Sequence, residues 1–153
     1  MTDTNFNTSK ETKTLKKFDL DLQYGQMREQ KVHDMFFNKK FEIKSERDWW
    51  QKTGNIAIEV ECYDKPSGIS ITEADFWMHI LTDGEKEYCK LIFKVATIKK
   101  LAYKYRNKSV YGGDHRKSKF VLVPLKQLFT LDNIRLESPF TEMLNGTRNV
   151  KSV

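Results

Sequence analysis

No apolar run in this 153-residue chain approaches the roughly 20 residues that a membrane-spanning helix needs. The N-terminal stretch has no apolar signal-peptide region, so nothing in it directs export, and the expected location is cytoplasmic. There are only two cysteines, Cys62 and Cys89, with no CxxC pair and no histidine nearby. That scarcity excludes a structural zinc site and leaves two reduced thiols, expected in the core of strands. His33, His79 and His115 share no spacing that suggests a metal cluster or a nucleophile–base pair. Internal repeats are absent, and nothing beyond the first residues is low in complexity.

What is present fits one domain: 39% hydrophobic and 31% charged residues are enough for a real core under a well-charged surface. The net charge of +6 is compatible with a polyanionic partner without demanding one. Its distribution says more. Acidic residues concentrate in two short segments, while basic ones gather at 10–17, 99–108 and 115–119. An acidic pocket in a basic surface suits an enzyme that holds a metal and grips phosphates.

Those two segments are Phe41-Glu42-Ile43-Lys44-Ser45-Glu46 and Ile56-Ala57-Ile58-Glu59-Val60-Glu61-Cys62. Both alternate apolar and ionisable residues with period two, as a half-buried strand does. Phe41, Ile43, Ile56, Ile58, Val60 and Cys62 would share one face; Glu42, Lys44, Glu46, Glu59 and Glu61 would share the other. Like charges facing each other across strands destabilise a sheet, and a divalent cation would relieve that repulsion.

Around them the chain reads as follows. Residues 1–17 are polar and aperiodic, expected as a disordered basic arm. A helix is expected over 22–37, with Leu22, Gly25, Glu29, Val32 and Phe36 in one stripe; a short strand could also lie at 35–38. The connection 48–55 carries Trp49 and Trp50, at least one of which should pack. The pattern of Ala74, Trp77, Met78 and Leu81, with Thr72 and Asp75 at capping-box spacing, predicts a second helix ending at Asp83-Gly84. A strand over 88–95, a basic helix over 98–105, a strand over 119–123 and a helix or turn from Pro124 to Phe129 complete a domain spanning 18–131. Residues 132–153 read as a weakly structured extension, with one helical turn at Thr141–Leu144. This order implies an α/β fold with a central mixed sheet flanked by helices.

If the two acidic strands form a hairpin, Glu42 lies opposite or diagonal to Glu61, and Lys44 near Glu59. Glu29 would approach from the preceding helix, or else sit at its stripe edge in water. Converging carboxylates favour Mg²⁺, with Mn²⁺ as substitute, a cation that binds one or two carboxylates, waters and phosphate oxygens. The expected metal set is Glu29, Glu42, Glu59 and Glu61. Lys44 would lie beside the scissile phosphate, and in-line phosphoryl displacement is the chemistry that suits this set. Gln26, Ser67, Thr72, Glu73 and Asp75 are lesser candidates, which read first as surface or capping residues. Lys99, Lys100, Lys104 and Arg106 on the short basic helix, or Arg116, Lys117 and Lys119 beyond a Gly-Gly loop, could hold DNA phosphates without reading sequence.

Glu42-Ile43-Lys44, Gly54-Asn55-Ile56-Ala57-Ile58-Glu59, Lys65-Pro66-Ser67-Gly68-Ile69 and Thr72-Glu73-Ala74-Asp75 resemble segments of small phage-encoded proteins of the PD-(D/E)XK nuclease superfamily. Gly112-Gly113-Asp114 and Val121-Leu122-Val123-Pro124 resemble that group too, so the likeness spans residues 18–129. It implies a restriction-endonuclease-like αβββαβ core and Mg²⁺-dependent endonucleolytic hydrolysis of DNA, in a host cell's cytoplasm. In one placement of the family motif, Glu42 is the leading acid, Glu59-Val60-Glu61 stands at (D/E)-x-K, and Lys44 supplies the amine. In the other, Glu42-Ile43-Lys44 is itself E-x-K, and only Asp34 is available upstream. Glu29 matches the helix acid of many members. Cutting both strands would favour a homodimer. A non-catalytic nucleic-acid-binding module on the same fold is the alternative, and a small protein whose acidic face binds a basic partner is a third.

Overall fold

The computed structural model of the chain describes residues 8–137. They fall into two compact units divided between Lys39 and Lys40. The first is one long helix, α1 (Thr8–Phe36). It begins well before the expected residue 22, and Phe36 closes it where a short strand had been an alternative reading. Its stripe residues Leu22, Glu29 and Val32 are exposed.

The second unit is a mixed α/β domain built on two sheets. Its elements are β1 (Phe41–Glu46), α2 (Trp49–Thr53), β2 (Asn55–Cys62), β3 (Lys65–Pro66), β4 (Phe76–Asp83), β5 (Lys86–Lys94), α3 (Val95–Lys104), β6 (Ser109–Gly112), β7 (Ser118–Pro124), α4 (Leu125–Leu128) and α5 (Leu131–Leu136). One sheet runs β1-β4-β5, with β1 and β4 parallel and β4 and β5 antiparallel. The other runs β3-β2-β7-β6, all antiparallel. Ile56, Ile58, Val121 and Val123 of the second sheet close on Trp77 and Leu81 of the first and on Ile98, Leu101 and Leu128 of the helices. The helical turn expected at 141–144 lies outside the described residues.

Several expectations fail here. The second helix does not exist: Phe76–Asp83 is the central strand of its sheet. Phe76-Trp77-Met78-His79-Ile80-Leu81 is buried on both sides, and a strand covered on both faces is apolar throughout, which periodicity cannot tell from a buried helix. Asp75 is no cap either. Its carboxylate accepts from the Lys40 amide at 2.9 Å and its own amide donates to the Lys40 carbonyl at 2.9 Å, which sets β4 beside β1.

Nor do β1 and β2 form a hairpin; they belong to different sheets. The connection between them contains α2, and α2 is tied to the far end of the first sheet. The Trp50 indole N–H donates to the Thr82 carbonyl at 2.8 Å, and the Gly84 amide donates to Asp48 at 3.1 Å. Trp50 therefore packs while Trp49 stays exposed. Carried over that end, the chain returns as β2 in a second layer, where β7 is its partner.

β1 is also turned over relative to expectation. Ile43 is 56% exposed, while Glu42, Lys44 and Glu46 are partly covered. The covered polar face faces the seam between sheets. Glu46 Oε2 accepts from the Ala57 amide of β2 at 2.8 Å and from His79 Nε2 of β4 at 2.8 Å. The tautomer follows from the next link: Trp77 Nε1–H is a donor only and reaches His79 Nδ1 at 3.3 Å, so the ring hydrogen is on Nε2. Of the cysteines, Cys62 is half-buried but Cys89 is exposed, so the second is not a core thiol.

Because the Glu46 carboxylate joins both sheets in a nearly dry place, Glu46→Ala strands a buried amide and a buried imidazole. It is expected to lower unfolding stability by about 3 kcal/mol. Glu46→Gln keeps an acceptor oxygen and should cost clearly less. Urea denaturation of the two variants checks both, and equal losses would remove Glu46 from this role.

Candidate functional site

The site is built where β2 breaks its own register. Glu59 pairs with Phe120 and Glu61 with Lys119, so Val60 is an extra residue on β2. Such a bulge re-aims the side chains after it. The freed Val60 carbonyl is not wasted: the Ser67 amide donates to it at 3.0 Å and the Ser70 hydroxyl at 2.8 Å. These bonds fold 67–70 back on β2, with Gly68–Ser70 in a 3-10 turn. Gly68 is indispensable to that return. Its φ is +54°, and a Cβ there would lie 2.4 Å from the Glu59 carbonyl oxygen.

An open cleft of about 600 Å³ lies between this turn and β1. Glu42 and Lys44 reach it from β1, Glu59 from β2, and Ser67, Thr72 and Glu73 from the segment before β4. Glu42 and Lys44, two apart on one strand and hence on one face, form an ion pair of 2.8 Å. The other Glu42 oxygen accepts from the Thr72 hydroxyl at 3.2 Å, and Thr72 in turn is held by the Ala74 amide at 3.3 Å. The Ser67 hydroxyl donates to Glu59 Oε1. The hydrogen bond from Lys44 holds the Glu42 carboxyl below its ordinary pKa; partial burial opposes this, while the Lys44 charge and the Thr72 bond add to it.

The expected four-carboxylate cluster does not assemble. Glu61 turns away beyond the bulge and pairs with Lys119 at 3.5 Å in a different cleft. Glu29 lies on α1, in the other unit, and is exposed. Asp75 is engaged by Lys40. Among the described residues no group of three or more His, Cys, Asp or Glu is placed to hold a metal. Lys44 and Glu59 do line one cleft, but the ion pair of Lys44 is with Glu42. The crowding expected of the acidic face is relieved residue by residue: Lys44 serves Glu42, His79 and an amide serve Glu46, Ser67 serves Glu59, and Lys119 serves Glu61.

The cations expected to hold phosphate also divide. Lys99 and Lys119 share a cleft of about 450 Å³ with Glu61, Ser70, Tyr103 and Arg106. Arg116 and Lys117 line another of about 320 Å³, with Tyr63, Asp64 and Tyr111. Lys100 and Lys104 are exposed on α3, where Lys104 lies over the Tyr105 ring at 5.5 Å. Sequence reasoning gave His79 and Tyr103 no role, while Arg106 was read with the lysines of the basic helix and Glu46 with the acidic strand face. For His79 only its spacing of two from Trp77 on one strand could have pointed to it.

Compared with models of known families, with curated proteins and with solved structures, the chain shows no match. No described helix is long and apolar enough to cross a membrane.

Two variants check this geometry. Lys44→Met should raise the Glu42 carboxyl pKa toward its ordinary value, read by carbon-detected NMR titration; an unchanged midpoint would show that the ion pair is not formed. The sign for stability follows. A carboxyl depressed in the folded state contributes stability above its unfolded pKa and loses it as pH falls through the folded value, so Lys44→Met should weaken the acid sensitivity of unfolding. Gly68→Ala, forced to hold positive φ against the Glu59 carbonyl, should cost about 2 kcal/mol or more and shift the Glu59 resonances.

Proposed function

We propose that the second unit is a metal-dependent phosphodiesterase acting on DNA, with the restriction-endonuclease-like core that the sequence resemblance implies. One observation carries the reading: Glu42 and Lys44 of one sheet and Glu59 of the other open into a single cleft. The mixed parallel and antiparallel sheet with α3 packed against it supports the same fold assignment. Of the two motif placements, the geometry favours a site of Glu42, Lys44 and Glu59, without Glu61.

The donor set fits Mg²⁺, which takes oxygen from one or two carboxylates and keeps its remaining positions for water and substrate phosphate. Glu42 and Glu59 would hold it. When bound, it supplies Lewis-acid polarisation of the phosphoryl group and eases ionisation of the attacking water. Ser67 and Thr72 orient the two carboxylates through their hydroxyls, the kind of outer support that fixes a ligand's direction. Lys44, kept at the cleft by Glu42, donates to a non-bridging phosphate oxygen and stabilises the charge that grows there during in-line attack. Because the cleft is open and its floor is polar, it suits an extended polyanion better than a small apolar ligand.

Supercoiled, linear and single-stranded DNA incubated with the protein in Mg²⁺ or Mn²⁺ should be cleaved, and chelator should stop it. Glu59→Gln and Glu42→Gln should each lower the rate by about 100-fold or more. They should leave DNA affinity within a few-fold. Binding without any cleavage by the wild-type protein would establish the non-catalytic module instead, and no salt-dependent binding at all would favour the protein-interaction reading.

A further inference from the structure

We infer that the second cleft of this unit is a subsite for an unpaired stretch of the same DNA strand, with a base stacked on Arg106 and Tyr103 and the backbone held by Lys99 and Lys119. The substrate class is taken from the phosphodiesterase reading; the preference for an unpaired strand comes from this cleft alone.

Four elements that are distant in sequence build it. Val60 and Glu61 come from β2, Ser70 from the 3-10 turn, Lys99, Ala102, Tyr103 and Arg106 from α3 and its end, and Lys119 and Val121 from β7. Three cations face one carboxylate there, and that carboxylate, Glu61, meets only Lys119, at 3.5 Å. Lys99 and Arg106 have no acidic partner among the described residues. Instead Arg106 lies over Tyr103: its guanidinium carbon is 4.1 Å from the centre of the Tyr103 ring, and one of its N–H groups donates to the Tyr103 carbonyl at 2.8 Å. Tyr103 is 69% exposed. A large aromatic and a planar cation, held together at a cleft wall and open to solvent, form a stacking surface. Guanidinium planes and aromatic rings are what unstacked bases settle on.

A base pair inside a duplex offers no free face to such a surface, because its neighbours cover both sides. The platform therefore selects nucleotides already out of the stack: a single strand, a flap or a junction arm. The two clefts adjoin across one structural divider. Glu59 opens into the first and Glu61 into the second, with the bulge at Val60 between them; Ser67, Gly68 and Ile71 line the first, and Ser70 the second. A single strand entering both clefts would therefore pass over the divider formed by the bulge at Val60 and the turn at Gly68–Ser70.

The test measures binding in chelator, so that it does not depend on cleavage. The full chain is titrated into fluorescein-labelled oligothymidylate of about 12 nucleotides, and into the same strand annealed to its complement. Tyr103→Ala is expected to weaken single-strand binding roughly 5- to 100-fold while changing duplex binding less than about two-fold. Tyr103→Phe, which keeps the ring, should bind as the wild type does, which separates stacking from misfolding. Lys99→Ala with Lys119→Ala should flatten the salt dependence of single-strand affinity by about one unit of slope. Failure of the wild type to bind the single strand, or equal losses on single strand and duplex in Tyr103→Ala, would overturn the assignment. The outcomes stay separate from those of the catalytic reading: unimpaired cleavage by Glu59→Gln sinks the first cleft and leaves this one standing.

Discussion

A single carboxylate oxygen, on Glu46, receives a backbone N–H from one sheet and an imidazole N–H from the other. Both β1 and β2 present edges at that seam over residues 41–46 and 55–59, and neither completes a ladder with the other. Unpaired strand edges are sites where a sheet recruits foreign partners or comes apart. Here the edge is closed by a side chain. The bond to Ala57 fixes the second sheet against the first, and the bond to His79 makes Glu46 part of the buried line that runs through His79 to Trp77. Everything proposed for the cleft needs this seam, because Glu42 and Lys44 stand on the same face of the same strand as Glu46, two and four residues away.

The second constraint is the bulge at Val60. A regular β2 would have put Glu59 and Glu61 on one face, as period-two alternation dictates. One inserted residue sends them to different clefts. Its unsatisfied carbonyl then organises the return of 67–70, through the Ser67 amide and the Ser70 hydroxyl. The same turn supplies Ser67 to Glu59 and delivers Thr72 to Glu42. A local irregularity of the ladder thereby splits an acidic stripe into a lysine-flanked carboxylate pair on one side and a basic, aromatic-lined cleft on the other.

That division changes what the charges can do. A four-carboxylate cluster would be held together only by metal. In the structure Glu42, Glu59 and Glu61 each already have a partner from the chain, so their charges are accommodated one by one. A cation at Glu42 and Glu59 would then serve function rather than folding, and its affinity would be set by how far Lys44 and Ser67 yield their places. The same Lys44 hydrogen bond that holds the Glu42 carboxyl below its ordinary pKa is the one a cation would have to displace.

Much of this was legible in the sequence. β1, β2, β5, α3 and β7 follow from hydrophobic period and turn residues, which are local properties of the chain. Glu42, Lys44 and Glu59 were singled out there as candidates too, by the combination of an E-x-K, an E-x-E seventeen residues later and a helix Glu upstream, since an alternating acidic strand by itself is commonplace. What the sequence could not carry was pairing. Whether β1 meets β2 or β4 depends on where Trp50 and Asp48 anchor the connection, and both anchors are contacts with residues more than thirty positions away. The strand at 76–83 looked helical because burial on both faces erases alternation, and burial is a property of the whole fold. Likewise Glu61 left the site because a ladder with β7 accommodates one residue too many, and no pattern within 55–62 records that. Local chemistry thus determined which groups were available; only the distant contacts decided which of them meet.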